Sequence, residues 1–146
     1  MEYTQIDTKE LKKVLSTYPL YFLQINGKAD FYDGWKLSIQ GKTLDDVVFL
    51  AEKLQTLLDY TDASYKFGTQ KLIDYKHPQQ STKLLTIYIP NSMNVEEYAK
   101  LVETELSGYK GAEGIETPQS YIAYNKKLGI HYRNDRTECG EYIPAN

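Results

Sequence analysis

Three short segments of this chain alternate apolar and polar residues with a period of two: Trp35 to Gln40 (WKLSIQ), Ser64 to Phe67 (SYKF) and Ile130 to Arg133 (IHYR). Successive side chains of a β-strand point to opposite faces, so this period sorts each segment into two sides. One side collects Trp35, Leu37 and Ile39, then Tyr65 and Phe67, then Ile130 and Tyr132. The other collects Lys36, Ser38 and Gln40, then Ser64 and Lys66, then His131 and Arg133. A chain built from such strands makes a sheet with one face to cover and one face left to polar chemistry.

Helical segments supply the cover. The spacing of Leu11, Val14, Leu15 and Tyr18 predicts a helix over residues 7–18, with Asp7 as its cap, Glu10 three residues later, an Ile6–Leu11 staple, and Pro19 as its stop. Thr43 and Asp46 open a second helix over residues 43–58, whose apolar residues are Leu44, Val47, Val48, Ala51, Leu54 and Leu58. Asn94 and Glu97 open a third over 94–107, with Gly108 as its C-terminal glycine. A short helix fits around Leu72 and Ile73. Residues 83–89 (KLLTIYI) are apolar nearly throughout and read as a central strand closed by Pro90, beside a strand at 64–67.

Residues 20–25 and 35–40, with the turn dipeptide Asn26-Gly27 between them, predict a hairpin over 20–40. A second hairpin over 120–134 turns at Asn125-Lys126-Lys127, and residues 135–146 read as a tail. With 146 residues the chain fits a single domain. Its order of elements gives an α+β fold: a largely antiparallel sheet with helices packed on one face.

Composition narrows the chemistry. The net charge is −3 and no segment gathers five Lys or Arg, so a general nucleic-acid footprint is missing and nucleic acid is not the expected partner. The N-terminus lacks a signal pattern and no 18-residue apolar run exists, which implies a cytoplasmic protein with no membrane partner. Cys139 is the sole cysteine, and two histidines cannot complete a usual zinc site, so no metal and no cofactor are expected. Phosphate loops, GxSxG elbows and HExxH pairs are absent. His77, beside Pro78, reads as a loop residue, and the glutamates of the 94–107 helix as water-facing. The 14 tyrosines against 4 phenylalanines read mostly as core residues with one wet end.

The polar strand side remains. Lys36, Lys66 and Arg133 together make a plausible anion site, because Arg offers a fork for phosphate or carboxylate and Lys a mobile point charge. Ser38 shares that side, as does His131, and Tyr88, in phase with Thr86 and Leu84, is the one tyrosine that fits its lining. The ordinary alternative is a solvated sheet face, with Lys66 snorkelling and His131 a hydrogen-bonded structural histidine.

The segments GWKLSIQGKTLDDVVFLAEKL, SYKFGTQKLI, STKLLTIYIP and YIAYNKKLGIHYR, taken in order, resemble the N-terminal lyase domain of class III and class IV lanthipeptide synthetases. That domain is related to bacterial effector phosphothreonine lyases. The resemblance spans about 100 residues and implies β-elimination of phosphate from phosphothreonine or phosphoserine. Residue by residue, it implies that Lys36 and Lys66 share proton abstraction and phosphate binding, and that Arg133 clamps the phosphate. The family's general-acid histidine falls at Ser38, whose hydroxyl is too weak an acid for the role near neutral pH. His131 is the substitute acid that strand phase offers.

The expected ligand is therefore a phosphorylated peptide or protein, or another phosphate-bearing anion. Three readings follow. The chain is a lyase-like domain that binds phosphate with turnover in question, an active carbon–oxygen lyase, or a protein-interaction or inhibitor module, bacterial or phage-encoded, that uses the fold without a small ligand.

Overall fold

The structure is a computed structural model and describes residues 7–29, 34–90 and 92–135. The elements run α1 (Thr8–Thr17), β1 (Phe22–Ile25), β2 (Trp35–Gln40), α2 (Leu44–Thr61), β3 (Ser64–Gly68), α3 (Gln70–Tyr75), β4 (Lys83–Tyr88), α4 (Val95–Glu105), β5 (Ile122–Asn125) and β6 (Ile130–Asn134). The six strands form one antiparallel sheet in the order β1-β3-β4-β2-β6-β5. The fold is α+β, as the strand and helix periods imply. Ile6 and Cys139, and the tail beyond Asp135, lie outside the described residues.

Helix α2 starts where its sequence says. The Thr43 side chain accepts from the Asp46 N–H, and the Asp46 carboxylate accepts from the Thr43 N–H at 3.1 Å, a complete capping box. Its buried residues Leu44, Val47, Leu50, Ala51, Leu54 and Leu58 meet the strand residues Leu37, Ile39, Tyr65, Phe67, Leu85, Ile87 and Ile130 in one core. Each large aliphatic side chain fully withdrawn there contributes about 1.5–3 kcal/mol. Two tyrosines of this core have their hydroxyls met: Tyr98 hydrogen-bonds Thr61 Oγ1 at 2.7 Å, and Tyr109 donates to the Gln40 carbonyl at 2.6 Å. Not every polar helix residue faces water alone, since Glu103 accepts from Asn125 Nδ2 at 2.8 Å.

The hairpin over 20–40 does not form. Strand β1 pairs with β3 at one edge, while β2 lies between β4 and β6. After β1 the chain is drawn along β3: the Gly27 N–H donates to Ser64 Oγ at 2.9 Å and the Lys28 N–H to the Asp62 carbonyl at 2.9 Å. A side chain at Gly27 would meet the Asp62 and Ala63 carbonyl oxygens at 2.4 Å, so glycine is needed for this approach rather than for a tight turn. The 120–134 hairpin does form, with β5 paired to β6. Its turn ends at Gly129, φ +71°, whose carbonyl accepts the Gln40 N–H at 3.0 Å.

Strand β4 departs from a strict period of two. Leu85 pairs with Ile39 but Lys83 pairs with Gln40, so two steps on β4 match one on β2. The extra residue, Leu84, is a bulge. It turns Leu84 into the core, against its phase with Thr86 and Tyr88, and brings Lys83 to the polar side.

Candidate functional site

The polar side of the sheet is buried. Lys36 is 4% exposed, Lys66 7%, Lys83 5% and Arg133 3%, with Ser38, Thr86, Tyr88 and His131 at 3% or less. The solvated-face alternative is thereby overturned. A lysine out of water loses hydration that only neighbouring polar or charged groups restore, so four buried cations on one sheet face are a specific arrangement.

Register places them. In one row across the sheet, Tyr88 on β4 is flanked by Lys36, which is followed by Arg133 on β6. In the next, Lys66 on β3 pairs with Thr86, Thr86 with Ser38, and Ser38 with His131. Lys36, Lys66, Lys83 and Arg133 therefore come from four different strands. Two aromatic rings bind them together. The Tyr88 ring lies 5.9 Å from Lys36 Nζ and 5.8 Å from Lys66 Nζ. The Tyr121 ring lies 4.6 Å from Lys83 Nζ and 5.9 Å from both Lys36 Nζ and Arg133 Cζ. Lys66 also stands 4.3 Å over the Phe22 ring. These are cation–π distances.

One carboxylate enters the cluster. Asp135, fully buried, pairs with Lys36 at 2.8 Å and is fixed by its own N–H donating to the Gly34 carbonyl at 2.9 Å. The sequence pattern assigns residues 135–146 to a tail, yet Asp135 continues β6 in phase with Arg133 and belongs to the site.

Burial and mutual repulsion tune the titratable groups. Burial lowers the Lys36 ammonium, against the raising effect of Asp135, with Lys66 and Arg133 adding to the decrease. Lys83 is brought down to about 8, first by burial and then by Lys36, Arg133 and Lys66. His131 is brought down to about 3, by burial first and by Lys83 second, so it is neutral at physiological pH. Neither ring nitrogen of His131 nor the Ser38 hydroxyl has a hydrogen-bond partner among the described residues. Burial without partners places three hydrogen-bonding atoms at the floor of a cationic cluster.

The structure thus brings together all six residues singled out by strand phase: Lys36, Ser38, Lys66, Tyr88, His131 and Arg133. It adds Lys83, Asp135 and Tyr121. A bulge is invisible to alternation, which hid Lys83. Asp135 falls just past the last alternating segment, and Tyr121 sits just before a strand. His77 stays outside the site: its Nδ1 accepts from the N–H groups of Gln79 and Gln80 at 3.0 and 3.1 Å, a loop role. Among the described residues no group of three or more His, Cys, Asp or Glu side chains could hold a metal, and no helix is long and apolar enough to cross a membrane.

No family model matches this chain, and no curated protein sequence matches it. Solved structures do. The phosphothreonine lyase effector VirA (SpvC) of Chromobacterium violaceum aligns with a TM-score of 0.57 at 19% identity, covering 82% of this chain and 63% of that one. The type III effector and phosphothreonine lyase OspF of Shigella flexneri aligns with a TM-score of 0.60 at 16% identity, covering 92% and 81%. An effector protein from Pseudomonas syringae pv. tomato strain DC3000 aligns at 0.55 and 16%, covering 82% and 47%. This chain therefore spans less than two thirds of the C. violaceum protein. At such identities the likeness is one of fold: the architecture resembles that of bacterial phosphothreonine-lyase effectors.

Proposed function

We propose that this chain recognises the phosphoryl group of a phosphorylated serine or threonine side chain on the polar face of its sheet, in a lyase-like fold that lacks the usual acid. The observation that carries this reading is the convergence of Lys36, Lys66, Lys83 and Arg133, each from a different strand, on one buried face. A phosphate monoester is a compact dianion with three terminal oxygens, which suits several converging cations better than a single carboxylate does. Likeness of fold to phosphothreonine lyases supports the same ligand class. The sequence resemblance to the lanthipeptide-synthetase lyase domain adds the roles of Lys36, Lys66 and Arg133.

Elimination itself needs a base for the α-proton, cleavage of the carbon–oxygen bond, and an acid for the departing phosphate. Ser38 cannot supply the proton for that last step. A second reading, active elimination, is favoured by one observation: His131 stands directly across from Ser38 on the same face. Its low pKa in the free protein means that it would serve as acid only when bound phosphate offsets burial and the repulsion of Lys83.

Calorimetry with a phosphothreonine peptide and its unphosphorylated twin tests recognition. Binding of the phosphorylated form alone is expected, weakened at least about tenfold by Lys66→Ala or Arg133→Ala, the worth of roughly one charge-assisted hydrogen bond. Equal binding of the two peptides would overturn the proposal. Mass spectrometry of the same mixtures separates the readings. Intact phosphopeptide with the natural protein, and loss of the elements of phosphoric acid only with Ser38→His, supports binding without turnover. Loss with the natural protein, abolished by His131→Gln, supports elimination.

A further inference from the structure

Tyr121 is not part of any strand, yet its ring faces three of the four clustered cations. It faces Lys83, Lys36 and Arg133 at the distances given above, and packs edge-on against His131 with 5.6 Å between ring centres. An aromatic face carries partial negative charge, so a ring set against three cations stands where an anion would also be drawn.

The backbone beneath this ring is held on both sides. The Tyr121 N–H donates to the Pro118 carbonyl at 3.2 Å, Ser120 takes a left-handed φ of +70°, and the Gln119 N–H donates to Gln79 Oε1 at 2.7 Å. Beyond it β5 begins at Ile122 and pairs with β6. The movement open to Tyr121 is thus a side-chain rotation between staggered positions and not the opening of a loop. Beside the ring, on His131 and on its cross-strand neighbour Ser38, lie two imidazole nitrogens and a hydroxyl that are buried without hydrogen-bond partners among the described residues.

We propose that Tyr121 is a displaceable roof over the phosphoryl site: its ring occupies the anion's side of the cation cluster in the free protein and swings off it when an anion binds. This inference rests on the proposed phosphoryl site and says how that site is kept in the absence of ligand. The ring must leave the cations before any particular anion is chosen, so it lowers the affinity for every anion by the same factor. A residue that instead touches the ligand would alter the preference of the site among anions.

Calorimetry with inorganic phosphate and with sulfate, on the natural protein and on Tyr121→Ala, Tyr121→Leu and Tyr121→Phe, decides the matter. Tyr121→Ala and Tyr121→Leu should bind both anions more tightly by a common factor of about ten, the scale of a few cation–π interactions that the free state then no longer makes. Tyr121→Phe, which keeps the ring, should match the natural protein. Far-ultraviolet circular dichroism checks the fold of each variant, and the leucine variant decides if the alanine variant does not fold. Unchanged affinity in the folded variants, weaker binding, or unequal factors for the two anions would overturn the roof while leaving the phosphoryl site standing. Failure of the natural protein and every folded variant to bind either anion would overturn both.

Discussion

His131 is 1% exposed, edge-on to Tyr121, across from Ser38, and neutral down to a pH of about 3. In an unfolded chain the same imidazole takes a proton near pH 6.5. Between those values the unfolded state holds a proton that the native state refuses, so stability falls as pH drops from about 6.5 toward 3, and above 6.5 the residue contributes no pH dependence. The full effect is on the order of 5 kcal/mol. Carboxylates add their own slope at low pH, so the measurement is a difference. Urea unfolding at a series of pH values from about 6.5 to 5 should show a smaller loss in His131→Gln than in the natural protein. Equal slopes would mean that His131 titrates normally in the fold. Residue types were well legible at this scale. Period two alone brought Lys36, Lys66, His131 and Arg133 together, whereas the protonation state of His131 depends on burial and on Lys83, which alternation does not reveal.

At the scale of elements, β4 shows how a local irregularity makes a site. Its near-continuous apolar run hides a change of side at Leu84: residues 85 and 87 face the core, as does Leu84, while Thr86, Tyr88 and Lys83 face the cations. Deleting Leu84 would restore simple alternation with Lys83 still opposite Gln40 on the polar side, so the cation cluster keeps its members while the core loses a fully buried leucine. Destabilisation of about 2–5 kcal/mol with phosphate binding retained is expected. Chemical denaturation checks the first and calorimetry with phosphate the second. A deletion variant that folds but no longer binds phosphate would mean that the bulge itself is needed to aim Lys83 at the site. Helix boundaries were legible because capping chemistry is local, as Thr43 and Asp46 show. The partner of β1 was not, because Asn26-Gly27 signals a turn while the hydrogen bonds that capture Gly27 and Lys28 come from residues 62–64.

For the whole molecule, a chain with a net charge of −3 gathers four of its 17 lysines and arginines on one buried face. Like charges held together in a medium of low polarisability repel, so an anion that binds only the folded state should stabilise the protein by mass action. Inorganic phosphate is expected to raise the melting temperature by several degrees along a curve logarithmic in its concentration, with Arg133→Ala reducing the gain. Sodium chloride at matched ionic strength separates this from screening. A linear rise shared by phosphate and chloride would mean that no specific site is filled.

The order of the strands carries a consequence for how this molecule comes into being. The central strand β2 takes its neighbours from residues 83–88 and 130–134, and only the β5–β6 connection is short. Pairings of such long sequence separation close slowly, on a timescale of roughly milliseconds to seconds. During synthesis, Lys36 emerges almost a hundred residues before Arg133, and the cation face has no complete form until β6 slots in beside β2. Assembly of the cation cluster is therefore a late event in folding, and a chain cut short before residue 130 carries the sheet's first five strands with neither the arginine nor the histidine of its buried polar face.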